Sequence, residues 1–288
     1  MLHSNGLHHA IRFFMQRLME KSRIHAAIKA FGVHFCISAL FCILSAYLVL
    51  VVWFPYPFRD LAGGLHLFWI MMGIDIVCGP LLTAIIYNPK KSQNELVIDV
   101  GLVALIQITA LGYGLYSISQ ARPIIYAFEG DRFITVSASE INISNLVKAP
   151  QGLQNLSWNG PRLVGIRAPK SADEKFQIIM ESLQGFPASA HPDWWQSYEK
   201  SIPSVQKEMK PLADLRAARP AAGQALIDQA VRQTGQPLEA LFYLPLTSRK
   251  KLDDWIVLLD AQANICGLRA RFRVLNAPEV LRILASTR

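Results

Sequence analysis

FGVHFCISALFCILSAYLVLVVWFPYPF, residues 31 to 58, runs for 28 residues without an Asp, Glu, Lys or Arg. About 20 helical residues, each rising 1.5 Å, cross the ~30 Å hydrocarbon core of a bilayer, so this stretch is long enough to span one. Two similar runs follow: Leu61 to Asn88, whose only charge is Asp75, and Leu96 to Gln120, whose only charge is Asp99. A helix in the core of a water-soluble protein keeps a polar stripe, and three successive runs without one belong in lipid. The first run is longer than the apolar part of a signal peptide, and no small-x-small site follows Trp53-Phe54-Pro55, so it is expected to stay in the mature chain. The expected fold class is three transmembrane α-helices, read from these runs, followed by an α+β periplasmic domain, expected from the segments and the resemblance given below.

Basic residues of short loops stay on the cytoplasmic side. The N-terminal arm carries Arg12, Arg17, Lys21, Arg23 and Lys29 against Glu20, and the loop between the second and third spans carries Lys90 and Lys91. Arg59, in the loop between the first and second, is offset by Asp60. Both basic segments fall on one face. The N-terminus is therefore expected inside, in the cytoplasm, and the C-terminal domain outside, across the membrane. The expected division is a basic cytoplasmic amphipathic arm, 1–30, a three-helix transmembrane region, 31–120, and a periplasmic α+β domain, 121–288. In the arm, Ile11, Phe14, Met15, Leu18 and Met19 recur at helical spacing, as in a helix lying on the inner membrane surface. Met15 and Met19 are also alternative translation starts.

The spans are bounded by local signals. The first, Gly32 to Phe54, should end at Pro55 and Pro57, which cannot continue the hydrogen-bond ladder. Trp53, Phe54, Tyr56 and Phe58 then read as an aromatic belt at the outer interface. The second, Leu65 to Tyr87, is expected to break near Gly79-Pro80. The third runs from Leu96 to Ser119. Beyond Arg122-Pro123 the composition becomes mixed. Pro123 to Glu129 and Arg132 to Ser137 read as strands around a Gly130-Asp131 turn. Ser137 to Val147 reads as a short helix and Leu163 to Arg167 as a strand. Ser171 and Glu174 form a capping-box pattern that opens a helix through Leu183, and Gly223 to Gln233 is a further helix closed by Gly235. Strands are expected at Leu238 to Leu244, Trp255 to Leu259 and Ile265 to Val274, and the tail after Asn276 is left open between helix and loose end.

The formal charge of +8 does not signal nucleic acid. Residues 121–288 hold 21 Lys and Arg and 16 Asp and Glu, a net +5 scattered along the segment, and an exported domain meets no DNA. Cys36, Cys42 and Cys78 fall in the spans, so Cys266 has no disulfide partner within the C-terminal domain. No nucleophile motif, Gly-rich phosphate loop or zinc-ligand spacing is present, and His191 is the only histidine after the spans, so no enzyme, cofactor or metal is expected. His3, His8 and His9 are too loosely placed for a metal site.

Asp75 lies near the middle of the second span, where a charged carboxylate costs about 3 kcal/mol on insertion scales. A neutral, hydrogen-bonded acid facing the helix bundle and a contact with another protein's membrane helix both accommodate it. Asp99 lies near a cytoplasmic helix end, where water and the helix dipole favour it. Paired carboxylates of an intramembrane protease would share one depth and a Gly-x-Gly-Asp sequence, and neither holds here. The candidate partner-binding residues are Asp75, Gly79 and Pro80 in the membrane, with Trp194, Trp195 and Tyr198 as an interaction surface or as core packing in the domain.

The order and spacing of several segments resemble one family. Ile28-Lys-Ala-Phe-Gly-Val-His34, Trp53-Phe-Pro-Tyr-Pro57, Gly73-Ile-Asp-Ile-Val-Cys-Gly-Pro-Leu-Leu82, Asn88-Pro-Lys-Lys91, Tyr116 through Ala121-Arg-Pro to Phe133, Phe242-Tyr-Leu-Pro-Leu246 and Trp255-Ile-Val-Leu-Leu-Asp-Ala261 are similar to the TfpX/TfpZ family of type IV pilin accessory proteins. The resemblance covers about residues 28 to 270. It implies an inner-membrane, chaperone-like accessory factor that binds a cognate type IV major pilin, and with it the pilus assembly machinery, and promotes pilin stability or assembly into pili. It supplies no catalytic residues. The competing expectation is a membrane-anchored envelope sensor or scaffold that binds a small ligand or another secretion component.

Overall fold

The computed structural model describes the backbone of residues 4–62, 65–249 and 251–267, and the side chains of 23–61, 65–249 and 255–267. It divides into two compact units, Met1–Leu48 with Leu65–Ile118, and Val49–Gly64 with Ser119–Arg288. The expected amphipathic face of the arm, the loose N-terminal histidines, most of the last strand and the C-terminal tail lie outside the described residues.

The first unit is made of long helices. α1, Ser4–Tyr47, passes into a π-wound segment, Leu48–Trp53; α3, Leu65–Ile86, and α4, Gln93–Ala121, follow a short α2, Phe58–Ala62. Among the described residues three stretches are long and apolar enough to cross a membrane: Arg23–Trp53, Leu65–Ile86 and Gln93–Ala121. The chain is a membrane protein by this architecture. α4 starts three residues earlier than its apolar run because Ser92 and Glu95 cap it reciprocally. The Glu95 N–H donates to Ser92 Oγ at 3.3 Å and the Ser92 N–H to Glu95 Oε2 at 3.1 Å. Asp99 meets the Lys91 ammonium near the same end. The expected break at Gly79-Pro80 does not occur. α3 continues through Pro80, since a proline inside a membrane helix removes only one ladder bond and the rest of the helix keeps its own.

In the second unit β1, Pro123–Glu129, and β2, Arg132–Ser137, form the expected hairpin. β3, Arg162–Ile166, α5, Ala172–Leu183, β4, Trp195–Gln196, α6, Ile202–Glu208, β5, Lys210–Pro211, α7, Leu212–Ala217, and α8, Ala221–Thr234, follow. A second hairpin, β6, Phe242–Ser248, with β7, Lys251–Leu259, and β8, Ile265–Gly267, completes a mixed sheet in the order β4-β3-β1-β2-β6-β7-β8, with β5 on β6. The two hairpins join through parallel β2 and β6. Where a short helix was expected after Ser137 there are two 3₁₀ turns, Ala138–Glu140 and Ile143–Lys148, and Leu238–Ala240 is a 3₁₀ turn before β6. Ser171 Oγ caps α5 by accepting from the Glu174 N–H, and Gly235 closes α8 at φ 68°.

The strands read as unbroken apolar runs because both faces of the sheet are covered. Tyr126 and Phe128 of β1, Phe133 of β2, Leu244 and Leu246 of β6, and Trp255, Val257 and Leu259 of β7 form one core. Their alternates point the other way. Ile125 and Ala127 pack with Val136, Val164 and Trp195, and Ile256 and Leu258 pack with Leu212 and Ile227. The segment expected as an aromatic interfacial belt is instead part of this unit. Phe58 and Leu61 of α2 are buried in the first core, with the Phe58 ring 5.3 Å from that of Tyr126, and Ser248 Oγ donates to the Leu61 carbonyl at 2.8 Å. Aromatic rings beside a membrane span fit an interface and a protein core equally well in composition, and only the distant strands decide between them.

Candidate functional site: a polar bridge among the membrane helices

Three polar side chains meet in the first unit. His34 on α1 lies 2.6 Å from Thr83 Oγ1 on α3 through Nδ1, and 2.6 Å from Gln107 Oε1 on α4 through Nε2. Gln107 Nε2 donates to the Asp75 carbonyl of α3 at 3.0 Å. That last bond fixes the amide orientation, so Gln107 Oε1 is an acceptor and His34 must donate from Nε2. In the neutral imidazole Nδ1 then accepts the Thr83 hydroxyl proton. One imidazole and one amide thus tie all three helices with every polar atom of the bridge used, as hydrocarbon demands.

The bridge accounts for Gly79 and sits beside Pro80. Both are buried. A Cβ on Gly79 would stand 1.9 Å from Gln107 Nε2, so the glycine is the notch through which the amide reaches Asp75. Pro80 lacks the N–H that would bond the Ile76 carbonyl, and the carbonyl one residue earlier is the one that takes the Gln107 bond. Gly79→Ala should therefore push the amide off both partners. Interhelical hydrogen bonds in membranes are each worth about 1 kcal/mol, so the variant should lose about 1 to 2 kcal/mol, read as a lower thermal aggregation midpoint of detergent-extracted protein. In a Gln107→Ala background the same change should cost less than about 0.5 kcal/mol, since the clash is gone. Equal costs in both backgrounds would mean that Gly79 serves some other contact.

Asp75 itself is only partly engaged. Its carbonyl is in the bridge, but its Oδ2 is buried without a hydrogen-bond partner. It lines a cavity of about 350 Å³ whose walls come from α1 (Ile37, Ser38, Phe41, Cys42) and α4 (Ala104, Ile108). Apart from the bridge, only Ser38 and Cys42 are polar there, and the Cys42 thiol faces the Met72 carbonyl at 3.9 Å.

The structure brings Asp75 and Gly79 together, but not Trp194, Trp195 and Tyr198, which lie in the second unit and are buried. The Trp195 indole N–H donates to the Ser189 carbonyl at 2.8 Å, and the Tyr198 hydroxyl to the Ala263 carbonyl at 2.7 Å. Burial, with Tyr126 and Asp260 nearby, pushes the Tyr198 hydroxyl well above the ordinary phenol range. Trp194 lies under the Arg167 guanidinium, 4.4 Å from the ring centroid. Arg167 in turn holds Glu174 at 2.6 Å, and its hydrogen bond, with the Lys170 N–H, draws that carboxyl down to about 2. These residues pack the interior and do not form an open aromatic surface. Sequence reasoning passed over His34, Thr83 and Gln107. Their signal was available as three neutral polar side chains inside apolar runs, a pattern hidden by counting formal charges alone.

Comparison with known proteins bears on what such a bundle belongs to. Residues 22–63, which include His34 and α2, match the family model described as fimbrial assembly protein FimB. The chain is 35% identical over 247 residues to the fimbrial assembly protein of serogroup I of Dichelobacter nodosus, covering 86% of this chain and 96% of that one. The chain belongs to the family of fimbrial assembly proteins. A second member, from serogroup E1 of the same organism, is 34% identical over the same shares, and one from serogroups C1 and C2 is 40% identical over 131 residues, all of its own length and 46% of this chain. All three relatives are named for fimbrial assembly. No solved structure matches.

Proposed function

We propose that this protein is an inner-membrane accessory factor of the TfpX/TfpZ kind, which holds a cognate type IV pilin and promotes its stability or its assembly into pili. The observation that carries the reading is identity along nearly the whole chain to proteins named for fimbrial assembly. The architecture supports it. A pilin awaiting assembly has an apolar helix in the membrane and a globular head outside, and this chain offers a helical unit with an unsatisfied acceptor and a sheet domain. The proposed arrangement keeps the N-terminal arm and the Lys90-Lys91 loop in the cytoplasm and the sheet domain in the periplasm, following the basic residues of the short loops.

The test is removal of the protein from its own strain, followed by return of the intact gene. Surface pili are expected to fall at least tenfold on removal and to recover on return, and the tagged protein is expected to co-purify with the major pilin from detergent-extracted membranes. Unchanged pili with no pilin recovered would overturn the assignment.

A further inference from the structure

Within the helical unit, α1 and α3 pack closely along their length, whereas α4 is held to them by the Gln107 bridge and is exposed along most of its apolar surface. The space this leaves is a lengthwise groove. The cavity beside Asp75 continues past His34, Ile37 and Ala104 into a second of about 470 Å³ that reaches Ala26 and Tyr87. On α1 the groove extends from Ala26 to Cys42, which at 1.5 Å per residue is about 24 Å, most of a bilayer's hydrocarbon thickness. Its walls are mostly apolar, with Lys29 and Tyr87 at one end and Ser38 and Cys42 near Asp75, and Ile37, Phe41 and Ile108 are about half or more exposed. Its floor holds a single unsatisfied group, the carboxyl of Asp75.

We infer that this groove between α1 and α4 seats one transmembrane helix of the partner, and that the helix presents a hydrogen-bond donor to the Asp75 carboxyl. The inference rests on the pilin reading for the identity of the partner, but its geometry comes from the groove. Lipid chains fill apolar grooves but carry no donor at that depth. Neither the bridge nor Ser38 and Cys42, which line the same cavity, donates to Asp75 Oδ2. A buried acceptor without a donor is destabilising, and rotation about the last side-chain torsion can turn either oxygen of Asp75 to the groove. The occupant is therefore an apolar helix with a Ser, Thr, Asn, Gln or amine donor near mid-membrane, matched to Asp75 in depth. Gln107 acts as a positioning residue, holding the α3 backbone at Asp75.

The experiment places a photo-crosslinking amino acid at Ile37 or Ile108 in the groove walls, or at Ile70 or Val77. The latter two are exposed on α3 and, at 100° per residue, point away from Asp75. Each variant is expressed in the pilin-producing strain and adducts with the major pilin are measured per molecule of extracted protein. Groove positions are expected to give at least five times the pilin adduct of the other two. In the Ile37 variant, Asp75→Leu is expected to lower it fivefold or more, while Asp75→Asn, which keeps an acceptor oxygen and guards against loss through misfolding, retains at least half. Pilin that co-purifies but crosslinks equally from Ile70 and Val77, or is indifferent to Asp75→Leu, overturns the groove and leaves the pilin reading standing. Groove adducts only to lipid or to a second copy of this chain also overturn it. Failure of pilin to co-purify with the unaltered protein overturns the reading of the partner itself.

Discussion

Expressed from Ser119 onward, the second unit is expected to be unfolded or aggregated, whereas the same fragment with residues 49–64 joined through a flexible linker folds cooperatively. Phe58 is 4% exposed and Leu61 fully buried in the largest core, and burying each side chain contributes about 1.5 to 3 kcal/mol. Loss of the segment also takes Tyr56 from the edge of Trp255 and Trp53 from Trp158, and removes the Leu61 carbonyl that accepts from the Ser248 hydroxyl, a further loss of about 0.5 to 1.5 kcal/mol for one hydrogen bond. The total, about 5 kcal/mol or more, rivals the whole stability of many domains. Urea unfolding of the two fragments measures it directly. A Ser119 fragment within about 1 kcal/mol of the tethered one would show that the segment is an ornament. In the intact protein, Phe58→Ala alone should cost about 3 kcal/mol.

Trp195→Ala should be nearly as damaging. The indole is 4% exposed, packs with Ile125, Val136 and Val164, and donates to Ser189. Truncating a buried aromatic side chain costs about 3 to 5 kcal/mol through lost transfer energy and the cavity left behind. Tyr198→Phe keeps the ring and loses only the bond to the Ala263 carbonyl, so it should cost about 1 to 2 kcal/mol. Denaturant curves of the second unit decide the matter. If Trp195→Ala leaves stability within about 1 kcal/mol and yet abolishes pilin co-purification, Trp195 belongs to a binding surface after all.

What could be read without coordinates was whatever is decided locally. Length and absence of charge identify the spans, and the Gly130-Asp131 turn and the Ser171 cap need only a few neighbours. What depends on residues far along the chain is not legible locally. The aromatic segment after the first span reads as a lipid interface because its partners, Tyr126 and Trp255, come from strands that begin 65 or more residues later. Gly79-Pro80 suggested a break because the side chain that makes a continuous helix useful there, Gln107, is on another helix. Asp75 was singled out from its charge alone, but its company of His34, Thr83 and Gln107 required three helices at once.

The parallel union of the two hairpins has a consequence for how the sheet forms. Each hairpin closes locally, but Phe133 and Thr247, which meet across β2 and β6, are 114 residues apart. Closing so long a loop is entropically costly and slow. A chain emerging N-terminus first therefore carries β2 with an apolar, unpaired edge for over a hundred residues of synthesis. That interval, more than the finished fold, is where wrong pairing is most dangerous, and substitutions that delay the β6–β7 hairpin should lower yield even when the mature structure tolerates them.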